Sequence, residues 1–255
     1  AVGVGYDWTF DMLSDAEKTT IENATLTFGL HAGISAYTAA APAWWWKSDS
    51  NWNLVCNGGL LVGSLAFADV PAMQEHAAQV IGYATTGIPF ALASYHPSGG
   101  WPEGETYWGY ALKYALAAID TTQNLLSTAG DHASAWKAWP RASGFNLTGL
   151  FRVAGTGSAY YSTFNWGDSD PEANDEFNPS LLLLGRYVSP ALRKVYAFAE
   201  KRQVARGGKY GGSNQSGCAL ENCVYRLMGW SGGETEADLK ALPLFQTWQL
   251  DAMAW

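Results

Sequence analysis

The stretch Ser14-Asp15-Ala16-Glu17-Lys18-Thr19-Thr20-Ile21-Glu22-Asn23-Ala24-Thr25-Leu26-Thr27-Phe28 begins with four residues that mark a helix start. A serine hydroxyl at the cap accepts from the backbone N–H three residues on. The glutamate at that third position reaches back to the serine N–H, so two donors that a helix leaves orphaned are satisfied reciprocally. Behind this box Ile21, Ala24 and Phe28 recur at helical spacing, which extends the helix toward Tyr37. Pro42 and the Trp44-Trp45-Trp46 cluster then break the pattern.

The same recurrence, read outward, predicts helices over 53–68, over 71–92 with Pro71 in the first turn, and over 106–126. Shorter ones are expected at 179–187, 190–202 and 219–227. The Gly- and Pro-rich stretch 95–104 reads as loop, and Gly144, Gly149, Gly155 and Gly157 limit helix length over 136–163. Alternating strand patterns are scarce, so the expected fold class is all-α. Helices joined by Gly/Pro/Trp loops suit antiparallel hairpins wrapped into a toroid. Roughly seven or eight helices fall short of a closed ring, which gives an incomplete α/α toroid over 1–240. Residues 241–255 break the helical period and read as a linker toward a further domain, with the chain cut before it. The start Ala1-Val2-Gly3-Val4-Gly5 reads as that of a mature or excised piece.

Hydrophobic residues make up 48% of the 255 and charged residues 15%, enough to bury a sizeable core and too apolar for a disordered chain. The 13 Trp and 13 Tyr are an excess that serves either a core or a cleft where flat rings stack on sugar C–H faces. A net charge of −8 argues against a nucleic-acid partner, which needs a basic footprint, and mildly against a highly sulfated one. No apolar run approaches the ~18 residues of a membrane span, so no membrane partner is expected. Cys218 and Cys223 are close enough in sequence for a loop disulfide, while Cys56 stands alone and no histidine neighbours them in a zinc pattern. The Asn-X-Ser/Thr triplets at Asn23, Asn146 and Asn214 fit a secreted glycoprotein.

Three blocks can carry chemistry: Ser50-Asn51-Trp52-Asn53-Leu54-Val55-Cys56-Asn57-Gly58-Gly59, Gly99-Gly100-Trp101-Pro102-Glu103-Gly104-Glu105-Thr106-Tyr107-Trp108-Gly109-Tyr110, and Phe164-Asn165-Trp166-Gly167-Asp168-Ser169-Asp170. Asn51 and Asn53 precede a helix, so capping accounts for one of them but less well for both. Asn57 lies four residues after Asn53 and shares its face, beside glycines that permit close backbone approach. Tyr107, Tyr110 and Tyr114 share one helix face, ordinarily a packing stripe. Tyr107 differs in sitting at the helix start, whose positive end favours an anion. Glu103 and Glu105 are two apart and face opposite ways in an extended loop, a poor acid/base pair. Asp168 and Asp170 suit capping better than cation binding. For Trp44–Trp46, Trp101 and Trp166, core packing and sugar stacking stand level. Arg152, Arg186 and Lys209 are possible carboxylate partners by charge alone. His31, His76, His96 and His132 sit in ordinary helix or loop contexts, which favours surface or capping roles.

The ordered set N-W-N-x-V-C-N-G-G, W-P-E-G-x-x-Y-W-x-Y and F-N-W-G-D, behind Val4-Gly5-Tyr6-Asp7-Trp8, resembles heparinase II/III-like and alginate-lyase-like polysaccharide lyases over nearly the whole chain. The resemblance implies an incomplete α/α toroid followed by a β-sandwich domain, with an acidic polysaccharide between them. It implies β-elimination: the C5 proton beside a uronate carboxylate is removed and the 4-linked sugar expelled. That chemistry needs a neutralised carboxylate, a base, and an acid for the leaving oxygen. By position Asn53 (or Asn51) matches the neutraliser and Tyr107 the catalytic tyrosine. Asn51, Asn57, Trp101, Glu103, Tyr110 and Trp166 are the substrate-binding candidates. No histidine of this chain matches the base that the β-domain supplies. Neither metal nor organic cofactor is implied. A toroid glycoside hydrolase using two of Glu103, Glu105 and Asp168 is one alternative, and a non-catalytic carbohydrate-binding or assembly fragment is another.

Overall fold

The computed structural model of the chain describes residues 1–95, 101–126, 153–154, 161–162, 167–168 and 183. These are helical apart from turns, loops and one antiparallel pair, β1 (Val153–Ala154) with β2 (Tyr161–Ser162). The all-α expectation holds for them. Most of 179–187, both helices expected beyond it, the Cys218–Cys223 pair and the segment 241–255 lie outside the described residues. Two compact units divide the chain, one of residues 1–93 with 117–137, the other of 94–116 with 138–255.

In the first unit the capping box forms as its chemistry dictates. Ser14 Oγ accepts from the Glu17 N–H at 3.4 Å, and Ser14 N donates to Glu17 Oε2 at 2.8 Å. These bonds start α2 (Asp15–Thr25), and the Ser14 hydroxyl, which donates to Glu17 Oε2 at 2.6 Å, followed by the Ser14 N–H, holds the Glu17 carboxyl below its ordinary value. A π turn over Leu26–Leu30 then leads into α3 (His31–Thr38). That turn corrects the apolar stripe read from sequence. A π turn bonds one residue further along than an α turn, so the buried face shifts. Phe28, inside the turn, is 82% exposed, whereas Leu30, Gly33 and Tyr37 are buried; Ala24, ahead of the turn, faces water as well.

An unexpected α1 (Val2–Thr9) precedes the box. Its glycines and β-branched residues have low helix propensity, so packing has to hold it. A Cβ on Gly3 would meet the Gly63 Cα at 2.9 Å, which places the two backbones in direct contact. Tyr6, one turn on along the same face, anchors the helix as well, its hydroxyl donating to Glu22 Oε1 at 2.5 Å. Burial foremost, then that bond, pushes the Tyr6 phenol up to about 12.

α4 (Asn51–Leu65) starts before the expected residue 53, and α5 (Gln74–Leu92) starts after the expected 71. Ser50, extended at φ −92° and ψ 168°, takes the cap position of α4. Asn51 and Asn53 are therefore inside the helix, and the capping explanation for them fails. Pro71 lies in the turn ahead of α5 instead of in its first turn. Asn53 near the start of α4 bonds Gly87 near the end of α5, so the two helices form an antiparallel hairpin. Leu54, Leu61, Ala84 and Ile88 are buried on these two helices, each fully buried Leu or Ile contributing ~1.5–3 kcal/mol. Tyr6, Leu30, Tyr37, Phe67, Met73, Ala77 and Val80 form a cluster of their own.

The second unit is built on aromatic packing at the start of α6 (Glu105–Leu126), where Tyr95, Trp101 and Trp108 are fully buried with Ala111, Leu112 and Ala115. The Tyr95 hydroxyl donates to the Trp108 carbonyl at 3.0 Å. Burial, reinforced by the Glu103 carboxylate, holds that phenol well above its ordinary value.

Candidate functional site

Asn53 and Asn57 stand one turn apart on the buried face of α4, and both are fully buried. The Asn53 amide nitrogen donates to the carbonyls of Trp46 (3.0 Å), Ser48 (2.9 Å) and Gly87 (2.9 Å). Its oxygen accepts from Asn57 Nδ2 at 3.0 Å, and Asn57 Nδ2 also reaches the Trp46 carbonyl at 3.0 Å. Tyr37 closes the chain, its hydroxyl donating to Asn57 Oδ1 at 2.8 Å. An amide has two N–H groups, so three acceptors oblige Asn53 to share one. The network ties the Trp44–Lys47 turn to both helices of the hairpin. Burial raises the Tyr37 phenol well above its ordinary value and keeps the donor protonated. Asn51 is buried and bonded as well.

Close approach occurs across the hairpin at Gly87, which the sequence reading did not single out. A Cβ there would lie 2.4 Å from the Trp46 oxygen and 2.8 Å from Asn57 Nδ2. Gly59, singled out in the sequence, faces open space. Tyr37, Trp46, Ser48 and Gly87 are the members of this network that sequence reasoning missed. Each contributes a group defined only by tertiary contact, and three of the groups are backbone carbonyls.

In the second unit the loop before α6 is fixed from inside. The Trp101 ring is fully buried against Tyr95, with centroids 4.5 Å apart, and its indole N–H donates to Glu103 Oε2 at 2.9 Å. Gly104 takes a φ of 92°, which suits a residue without Cβ, and its carbonyl accepts from Trp108 N at 2.9 Å to begin the helix. Asp168 N donates to the Glu103 carbonyl at 3.1 Å, which brings the third motif block to the second. Tyr107 is half-buried in the first turn of α6, and Tyr110, one turn on, is exposed. Their rings meet edge to face at 6.3 Å, and Tyr110 meets Tyr114 at 5.4 Å. Lys113 lies 4.7 Å from the Tyr110 ring centre. The tyrosine stripe is therefore partly open to solvent.

No protein-family model and no curated protein matches this chain. The assignment of chemistry therefore stands on the residues. The structure joins Asn53 to Asn57, Trp101 to Glu103, Glu103 to Asp168 and Tyr107 to Tyr110. The asparagine group belongs to the first unit and the tyrosine group to the second. His31 and His76 pack ring edge to face at 4.7 Å, and Cys56 is a half-buried free thiol raised by burial. Trp166, Asp170, His96, His132, Arg152, Arg186 and Lys209 lie outside the described residues. Among the described residues no group of three metal-binding side chains occurs, and no helix is long and apolar enough to cross a membrane.

Proposed function

We propose that the chain is the helical, toroid-forming part of a secreted polysaccharide lyase that cleaves uronic-acid polymers by β-elimination, with Tyr107 protonating the leaving oxygen. The observation that carries this reading is the setting of Tyr107. It is a half-buried phenol on the first turn of α6, beside an exposed tyrosine and behind a loop held rigid by Trp101 and Glu103. A proton donor must be reachable by substrate, and the partial exposure of this phenol supports that role. The ordered motif set supports the same reading. A β-domain of the parent chain supplies the base that takes the C5 proton.

Asn53 is the neutraliser in this reading, and its geometry sets a condition on that role. Both N–H groups already serve backbone carbonyls, so a substrate carboxylate has to displace the carbonyl of Trp46, Ser48 or Gly87. Tyr37→Phe tests the condition, because it breaks the same network at Asn57 and leaves Asn53 intact. If Asn53 touches substrate, Asn53→Ala abolishes elimination in folded protein while Tyr37→Phe does not.

The decisive experiment is Tyr107→Phe in the parent enzyme, followed by ultraviolet absorbance of the unsaturated product on alginate, glucuronan and heparan-type chains. Loss of a general acid should lower kcat by ~10²–10⁴-fold with little change in KM. Near wild-type turnover on the best substrate would refute the mechanism. A second reading, a glycoside hydrolase, draws on the bond that brings Asp168 to Glu103. Its products have saturated ends, so the same absorbance assay separates the two.

A further inference from the structure

His31 opens α3 directly after the π turn, and His76 lies in the first turn of α5. Their imidazole rings meet at 66° with centres 4.7 Å apart. The two helices approach closely beside them. A Cβ on Gly33 would lie 3.7 Å from Val80 Cγ2, one helical turn along α5 from His76. The pair is unevenly placed, His31 being exposed and His76 half-buried. His76 Nδ1 is wholly covered and has no hydrogen-bond partner. A neutral imidazole keeps a lone pair on one nitrogen, and a buried lone pair without a partner is costly. Buried polar atoms of this kind are few in folded proteins, and an ion is one of the groups that satisfies them. Single π turns within helices also gather at functional sites.

Geometry and charge both admit a metal ion shared by the two rings. A metal–imidazole bond of ~2.0–2.1 Å, with the nitrogen ~1.1 Å from its ring centre, sets two rings on one ion ~4.5–5.2 Å apart at bond angles of ~90–110°. The observed 4.7 Å falls inside that span. Imidazole suits zinc, copper and nickel, whereas magnesium and calcium take oxygen ligands. No Lys or Arg occurs in residues 19–46 or 48–112, so neither α3 nor α5 brings a competing cation. Glu75, next to His76 in the same turn, offsets the positive start of α5. Among the described residues no third metal-binding side chain joins the pair.

We propose that His31 and His76 form a two-imidazole site for a divalent transition-metal ion of the zinc, copper and nickel class, which braces α3 against α5. Water completes the coordination, and the exposed side of His31 is the way in. The test titrates the metal-free full chain calorimetrically with zinc chloride and, in parallel, with magnesium chloride, and reads the urea midpoint at each concentration. Zinc should bind and raise the midpoint, because an ion that binds only the folded state stabilises it, and magnesium should do neither. His31→Ala and His76→Phe should each weaken that binding about 100-fold or more, the upper figure for disturbing even an outer partner of a metal ligand. His76→Phe keeps a ring against His31, so packing is retained while the nitrogen is lost, and circular dichroism checks the fold of both variants. His96→Ala, His132→Ala and Cys56→Ser should keep the zinc response of the wild type. An N–H of His76 aimed at the face of the His31 ring would account for the pair by packing alone, and it predicts no zinc response at all. That result in the wild type, or a zinc-dependent rise retained in full by either His31→Ala or His76→Phe, would overturn the site.

Discussion

Removing the Asn53 amide leaves the carbonyls of Trp46, Ser48 and Gly87 without that donor in a place closed to water. Each buried polar group deprived of its partner costs ~1–3 kcal/mol, so Asn53→Ala should destabilise the protein by about 2–4 kcal/mol once sharing with Asn57 is allowed for. Asn53→Asp should be worse, because it sets a carboxylate against those same carbonyls. The measurement is the urea midpoint at constant slope, and an unchanged midpoint for Asn53→Ala would show that the network holds nothing. Gly87→Ala makes the complementary test. Helix propensity favours alanine by ~1 kcal/mol, yet the new Cβ would sit 2.4 Å from the Trp46 oxygen. Overpacking of that kind costs ~1–3 kcal/mol, so a net loss is expected, accompanied by a change in Trp46 fluorescence.

Between α2 and α3 the π turn decides which side chains face inward, and two substitutions of similar chemistry should report it. Phe28→Ser should shift stability by no more than about 0.5 kcal/mol, since the ring is already in water. Leu30→Ala should cost ~2–4 kcal/mol, the range for deleting a buried leucine side chain. Parallel losses in thermal unfolding would mean that the helix runs in unbroken α register. The start of α2 has its own signature. Folding lowers the Glu17 carboxyl, so its contribution is present above the ordinary carboxylate value and lost as pH falls through the lowered one. Ser14→Ala should therefore flatten the acid limb of the stability curve and leave the neutral plateau shape unchanged.

Across the whole molecule the buried tyrosines set an alkaline limit. Tyr6 is raised from 10.0 to about 12, and Tyr37 and Tyr95 are raised in the same direction, with burial the largest cause each time. The folded state favours the protonated phenol. This contribution is complete below the unfolded value and disappears as pH climbs through the folded one. The urea midpoint should hold between pH 8 and about 10, then fall steadily toward about 12. Tyr6→Phe should make that decline shallower, and a decline identical to that of the wild type would remove Tyr6 from the account.

Local chemistry was legible in the sequence because its causes lie within one turn of helix. The Ser14–Glu17 box, the all-α class and the existence of helices near α4, α5 and α6 follow from spacing and capping within a few residues. The asparagine pair and Tyr107 were legible as unusual residues for the same reason. What Asn53 bonds was not, because its partners are backbone carbonyls 5, 7 and 34 residues away, and every residue type offers the same carbonyl. The π turn was equally hidden, since one residue added to a turn leaves the composition unchanged. Which tryptophans are core and which meet water was level in the sequence. Tertiary structure decided it by enclosing Trp101 and Trp108 completely and leaving Trp44 and Trp52 on the surface, because burial depends on what the rest of the chain brings to a ring.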